Sequence, residues 1–430
     1  SASYTTKFWS GDLKAYAVDG QANISNTPTW SAQAKLDAQV QTDYAARKIY
    51  CNGSSGLALF TYNNLSATQQ GYFNNICSKA VVPAQCAAFN TNDLGLANNG
   101  ANLVNYLRGD RTYETTTGAT AAPLYRTRDH VLGDIINGAP VYVGKPPFAY
   151  TDDGYGDFVT ANRNRKPVVY IAANDGMLHA FSSTGTDGGS ELWSFIPSSV
   201  MNNLYKLADS SYGNKHQYYV DGAPSMGDVK INGAWKTIVV GGLNKGGNSY
   251  YALDITDPAS PAVLWEFTDA NLGLTYGNPI ITKRKDGTWV VVVTSGLNNT
   301  SGDGKGHLYV LDAATGTVLK DLVTTAGSAT DPSGLNKINA WIDSTSDNTA
   351  KLFYGGDMHG NLWRFNVDGF FDSADAAQPK MPGVFKLAQL QIDATHPQPV
   401  TTKPMTALIK TATVVIVGTG RYLGESDITD

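Results

Sequence analysis

Four segments of the chain share one layout: an apolar run, a glycine-rich turn, and a second apolar or aromatic run. They are VVYIAANDGMLHAF (168–181), TIVVGGLNKGGNSYYALD (237–254), VVVVTSGLNNTSGDGKGHLYVLD (290–312) and LFYGGDMHGNLWRFNVD (352–368), and VVIVGTGRYLG (414–424) opens a fifth. Asn-Asp-Gly, Lys-Gly-Gly, Lys-Gly and His-Gly supply the positive φ that tight connections between antiparallel strands need, so each pair reads as a β-hairpin. Upstream of most pairs lies an extended piece marked by proline, at Pro140, Pro224, Pro279 and Pro399, while NAWID fills that slot before the fourth. Proline removes a ladder donor, which confines it to strand starts and edges. ELWSFI, VLWEFT and TVLKDLV follow the first three pairs. Each unit is therefore a four-stranded antiparallel blade, and blades stacked radially bury their faces and protect their edges as a β-propeller. Successive hairpins begin about 50 to 70 residues apart, beyond the ~40–50 of WD40 or kelch blades, so the connections between blades are long.

Composition agrees with a mostly β chain. Gly supplies 44 of 430 residues, about a tenth against a usual ~7%, and 23 Tyr and 14 Phe are interleaved with Val, Ile and Thr. Acids outnumber bases 37 to 32, a formal net charge of -5 that offers no basic surface for nucleic acid or anionic lipid. No apolar run reaches the ~18–20 residues of a membrane span, and the N-terminus has no charged-then-apolar signal pattern. Cys51, Cys77 and Cys86 all lie in the first fifth of the chain. None has thiolate metal spacing. Cys77 and Cys86 are near enough to close one short disulfide loop, and if they do the protein is exported.

GDLKAYAVDG (11–20) echoes GNLWRFNVDG (360–369), which suggests that the first strands belong to the same ring as the last. Residues 28–135 form a helix-containing insertion. There Ser66 stands as an N-cap before a helical run over 65–76, and Leu103, Tyr106 and Leu107 have helical spacing up to a stop at Gly109. PSSVMNNLYKLA predicts a short helical insertion within 195–215. The whole chain, 1–430, is read as a single propeller domain with these insertions.

FWSGDLKAY, YLRGD, YRTRDHVLGDIINGAPVYVG, VVYIAANDGMLHAF, YGGDMHGNLWRF and VGTGRYLG, in that order over residues 4 to 424, resemble the PilY/PilC family of type IV pilus adhesins and biogenesis factors. The resemblance implies a modified seven-bladed β-propeller with quinoprotein-like blades. It also implies that the chain is the C-terminal part of a longer precursor and that a further strand follows GRYLG. It implies a calcium loop of alternating acids at DSTSDNTAK, Asp343 to Lys351. Only Asp343 and Asp347 are acids there, and Lys351 stands at the closing position. An ammonium repels Ca²⁺ and can itself bond the two carboxylates, so Lys351 is expected to stand in for the metal; a solvated turn with no pairing and retained calcium are the alternatives. A second acid cluster, TDDGYGD (151–157), offers Asp152, Asp153 and Asp157 to a cation or to an ordinary crossing loop. Arg108-Gly109-Asp110 matches the integrin-type motif of the family, and the same residues also read as a helix end whose Arg and Asp anchor the next segment.

A search for catalytic groups finds no reactive constellation. The turn LDAATG (311–316) resembles quinoprotein dehydrogenases, but the adjacent cysteine pair on which their quinone stacks is absent. There is no G-x-S-x-G, GGLNKGG lacks the Lys-Ser/Thr of a phosphate loop, and the six histidines show no i, i+4 pair. His179 and His359 are expected to satisfy backbone groups beside blade turns, and Asp175 and Asp357 to make Asx turns. No cofactor is expected. The expected function is non-enzymatic: an exported module at the outer membrane, cell surface or pilus tip. It would support pilus assembly against retraction through minor pilins and the pilus machinery, and meet a host receptor or abiotic surface. A periplasmic quinoprotein-like oxidoreductase is the alternative, and a purely structural blade-assembly chaperone for outer-membrane complexes a third.

Overall fold

The computed structural model describes residues 1–53, 56–342, 344–369, 383–410 and 412–421. Two compact units emerge, one of residues 1–144, 165–224 and 257–263, the other of 145–164, 225–256 and 264–430.

In the second unit three four-stranded meanders follow one another. The first runs Ser225–Ile231, Ala234–Gly242, Tyr250–Asp254 and Ala262–Phe267; the next Ile280–Lys283, Trp289–Thr294, His307–Asp312 and Val318–Val323; the third Ile338–Ile342, Ala350–Gly356, Asn361–Asn366 and Val384–Gln389. Pro224 and Pro279 sit immediately before their strands, as the missing N–H requires. Strand Trp289–Thr294 is buried at every position, because both of its faces are covered. Val291 and Val293, with Tyr309 and Leu311, pack on Trp235, Ile238, Val240 and Tyr250 of the preceding sheet. Val290 and Val292, with Leu308 and Val310, pack on Phe353, Trp363 and Phe365 of the following one. Side chains alternate across a strand, so a sheet with apolar residues at both parities must be sandwiched, and here it is. The outer strand Val318–Val323 lies half in solvent.

In the first unit the hairpin Val168–Ala173 and Met177–Ser182 lies in a six-stranded sheet with Val141–Val143, Glu191–Ile196, Ile49–Gly53 and Gly56–Leu59. The last two strands come from the 28–135 insertion, and Ile49–Gly53 pairs in parallel with Glu191–Ile196. Helices and not these strands are expected in that insertion from the sequence, although Asn52-Gly53 and Ser55-Gly56 between them are a turn signal across which Gly53 pairs with Gly56. Those helices form as read. Ser66 caps Ala67–Phe73 in a full capping box with Gln69, and Gly100–Arg108 ends at Gly109 with φ 117°. The segment Ser198–Ala208 is a run of 3₁₀ turns. The N-terminal echo builds its own sheet of Ala2–Thr5, Ser10–Val18 and Ile24–Ser31. Cys77 and Cys86 are joined by a disulfide, and Cys51 is buried.

Tight connections occur in two of the four hairpins. Asp357 N–H donates to the Asn361 carbonyl at 3.1 Å around Gly360, whose φ is 76°; a Cβ there would lie 2.3 Å from the Leu390 carbonyl oxygen. The second and third pairs instead diverge into loops over 243–249 and 295–306, because their glycines serve close approaches rather than a two-residue turn. At Gly296, φ 70°, a Cβ would meet the Leu274 carbonyl oxygen at 1.9 Å. The fifth segment pairs Met405–Ile409 with Ala412–Ile416, so its leading strand follows Pro404 and not Pro399. Residues 422–424 of GRYLG lie outside the described residues.

Candidate functional site

The acid-bearing loop that precedes strand Ala350–Gly356 is held by its own short polar side chains and by a neighbouring strand. Asp347 and Asn348 N–H groups donate to the Ser344 carbonyl at 3.2 and 2.9 Å, and Asn348 takes the left-handed conformation at φ 54°. The Asn348 carbonyl then accepts from Thr282 Oγ1 at 2.6 Å and from Lys283 N at 3.1 Å. Thr151 N–H donates to the Ser346 carbonyl at 2.9 Å. These bonds bring the 151–157 cluster, the loop and the end of strand Ile280–Lys283 together within the second unit.

At that junction Lys283 Nζ lies 2.6 Å from Asp152 Oδ1 and 2.9 Å from Asp347 Oδ1, with its side chain 8% exposed against 23% and 50% for the two acids. Its ammonium also stands 5.7 Å from the centre of the Trp289 ring. Burial alone would depress the Lys283 pKa, but the hydrogen bonds to the two carboxylates outweigh it and hold the group above its usual value. Hydrogen bonds from Thr349, then Lys283, hold Asp347 below the ordinary carboxylate range. Ca²⁺ takes six to eight oxygens. The two described carboxylates here already share an ammonium, and no cluster of three or more His, Cys, Asp or Glu suited to a metal occurs among the described residues. Asp343 lies outside the described residues. Lys351 is the second residue of the strand that follows the loop, its carbonyl accepting from Val367 N–H at 3.1 Å; Asp347 is paired with Lys283. Nothing in ITKRKDG distinguishes Lys283 from its neighbours, so sequence reasoning missed it. The rest of the acid cluster disperses: Asp153 points to solvent and its carbonyl accepts from Lys230 and Trp235, while Asp157 opens the helix Tyr155–Ala161.

A second concentration of charge lies inside the first unit. Arg47 Nε and Nη2 donate to both oxygens of Glu191 at 2.7 and 2.9 Å; Glu191 Oε1 also meets His179 Nδ1 at 2.8 Å, and His179 Nε2 stands 3.1 Å from Asp175. Arg47, Glu191 and His179 are buried. Burial would lower the His179 pKa, but Asp175 and Glu191 overcome it and raise the group to about 9. Burial would raise Glu191, and Arg47 reverses this, keeping the acid ionised. Asp175 also accepts from Gly133 N–H at 2.9 Å. So His179 is held by carboxylates and not by the backbone groups expected from the sequence, and the same holds for His359, whose Nε2 meets Asp331 at 3.1 Å. Asp357 does make the Asx turn, accepting from His359 N–H at 3.0 Å, and adds bonds from Asn361 and the Trp363 indole.

The motif Arg108-Gly109-Asp110 is the end of a helix. Arg108 is 4% exposed; its guanidinium donates to the carbonyls of Phe60 at 2.9 Å and Ala45 at 2.8 Å. Gly109 forms the left-handed cap, and Asp110 accepts from Thr112 N and Oγ1 at 2.9 and 2.7 Å. A guanidinium enclosed in this way cannot be presented to a receptor, which corrects the receptor-binding reading of Arg108 and leaves the anchoring one.

Comparison with known proteins places these features in a lineage. A family model described as the PilY1 beta-propeller domain matches residues 132–430. The type IV pilus biogenesis factor PilY1 of Pseudomonas aeruginosa strain PAK is 36% identical over 453 residues, covering 98% of this chain and 36% of the relative. A PilY1 homolog from Xylella fastidiosa is 33% identical over 442 residues, covering 99% of this chain and 31% of the relative. The chain thus spans about a third of the length of the curated relatives it matches. Among solved structures, the P. aeruginosa PilY1 C-terminal domain aligns with TM-score 0.54 at 32% identity, over 66% of this chain and 60% of that one.

Proposed function

We propose, from the premise that the chain belongs to the PilY1 β-propeller family, that it is a non-enzymatic docking module of type IV pilus biogenesis. The observation that carries the reading is that the family match, residues 132–430, takes in the three stacked meanders of the second unit. The ionisable groups of those sheets support it. His179, Glu191, His307 and Asp357 are each engaged by neighbouring side chains at hydrogen-bond distance, an arrangement that fixes strands and leaves no poised acid, base or nucleophile among them. Sheets locked in this way are a rigid platform on which inter-blade loops carry recognition. On this reading the module works outside the cytoplasm, at the outer membrane, cell surface or pilus tip, where the Cys77–Cys86 bond is stable. Its partners are minor pilins and the pilus machinery, it opposes retraction, and it contributes to attachment to host cells or inert surfaces. No described helix is long and apolar enough to cross a membrane.

The test is deletion of the coding region from its bacterium. Loss of surface pili and twitching, restored by the intact gene, is the expected result; normal piliation overturns the reading. Incubation of the purified chain with pyrroloquinoline quinone, calcium and an alcohol should leave an electron-accepting dye unreduced, and reduction would favour an oxidoreductase. On this reading the enclosed Arg108 takes no part in attachment, and Asp110→Glu is expected to leave attachment unchanged.

A further inference from the structure

Two acid-bearing segments far apart in sequence, 151–157 and 344–349, meet at one lysine from a third. Asp152 and Asp347 each place an oxygen on the same Lys283 nitrogen, so the two carboxylates are close enough to share a single cation. The backbone around them is already closed, through Thr151 to Ser346, and Thr282 and Lys283 to Asn348. Two carboxylates brought together without a counter-charge repel and raise one another's pKa. A positive charge between them is therefore a condition of this loop arrangement, and a divalent ion or an ammonium can supply it.

We propose that Lys283 supplies it: the ammonium occupies the position of a bridging cation between Asp152 and Asp347, and makes the junction independent of divalent metal. The inference goes beyond the pilus reading and does not depend on it. Lys283 fits the task because its charge reaches the acids from a side chain that is itself buried at the end of a strand, with the ammonium 5.7 Å from the centre of the Trp289 ring, so little side-chain freedom remains to be lost. Lys351 is on the other side of the loop in sequence and need not reach these two acids for the junction to close.

Thermal melting of the whole chain in millimolar Ca²⁺ and in a chelator tests this. The wild-type midpoint is expected to be the same in both, and Lys283→Arg, which keeps the charge, is expected to behave likewise. Lys283→Met should melt lower, and millimolar Ca²⁺ should return the midpoint upward by about 1 °C as the ion takes the vacated position; adding Asp347→Asn to that variant should abolish the response. A calcium-dependent wild type or Lys283→Arg protein overturns the proposal. So does a Lys283→Met protein that melts as wild type or ignores Ca²⁺, since the pair would then be an ordinary surface bridge. If Lys283→Met does not fold, the wild-type and Lys283→Arg melts still decide.

Discussion

The rim junction at Lys283 and the buried chain Arg47–Glu191–His179–Asp175 each set cations among carboxylates, and they differ in what surrounds them. Glu191 has lost its water and is compensated on both oxygens by Arg47 and on one by His179. Asp347 is half in solvent and answers to one ammonium. The buried chain joins the insertion to the blade sheet, since Arg47 precedes strand Ile49–Gly53 while Glu191 opens Glu191–Ile196, its parallel neighbour. It is costly to break because a lone buried charge has nowhere to go. The rim junction joins a loop to a strand end and can exchange its counter-charge with water or salt. Burial, more than the number of charges, decides which cluster holds the fold and which can be edited.

The largest expected effect is therefore at Glu191. Glu191→Gln leaves Arg47 without its charge partner and should cost about 3–5 kcal/mol in urea unfolding; a loss under ~1 kcal/mol would erase the distinction between the regions. Next comes pH. The folded-state pKa of His179 is raised to about 9 from 6.5, so its contribution is complete below pH 6.5 and is lost as pH rises through about 9. Melting curves from neutral to alkaline pH should show that decline in the wild type and a smaller one in His179→Gln. Arg108→Ala, which removes donors from the buried Phe60 carbonyl and the partly buried Ala45 carbonyl, is expected to destabilise by about 1–3 kcal/mol in the same unfolding assay. Lys283→Met should be mildest in the absence of divalent ion, about 1 kcal/mol or less, because Asp347 is half exposed and screened by solvent. Salt sharpens the contrast: near 1 M, with a screening length of ~3 Å, the Lys283 contribution should shrink while that of Glu191 persists.

The blades were legible because their signals are local. Gly360 with its positive φ, Pro224 and Pro279 at strand starts, and Val290–Val293 apolar at both parities each act over a few residues. The caps at Ser66 and Gly109 were legible for the same reason. The hairpin of Ile49–Gly53 with Gly56–Leu59 had a corner to read in Asn52-Gly53 and Ser55-Gly56, but its parallel pairing with Glu191–Ile196 did not, because that partner lies across the chain with no turn between them. Strand Val384–Gln389 also went unread, although Pro382-Gly383 stands immediately before it. The candidate site was half legible. Asp152 and Asp347 were visible as acid clusters, but Lys283 enters only through three-dimensional convergence, and the burial of Arg108 follows from carbonyls at Ala45 and Phe60 that no three-residue motif announces.

The most direct single measurement is a crystal structure of the chain grown in millimolar Ca²⁺, with anomalous scattering recorded to locate the ion. The account predicts Lys283 Nζ within hydrogen-bond reach of Asp152 and Asp347 and no anomalous peak between them. A calcium peak between those carboxylates, with the lysine turned out into solvent, would contradict it.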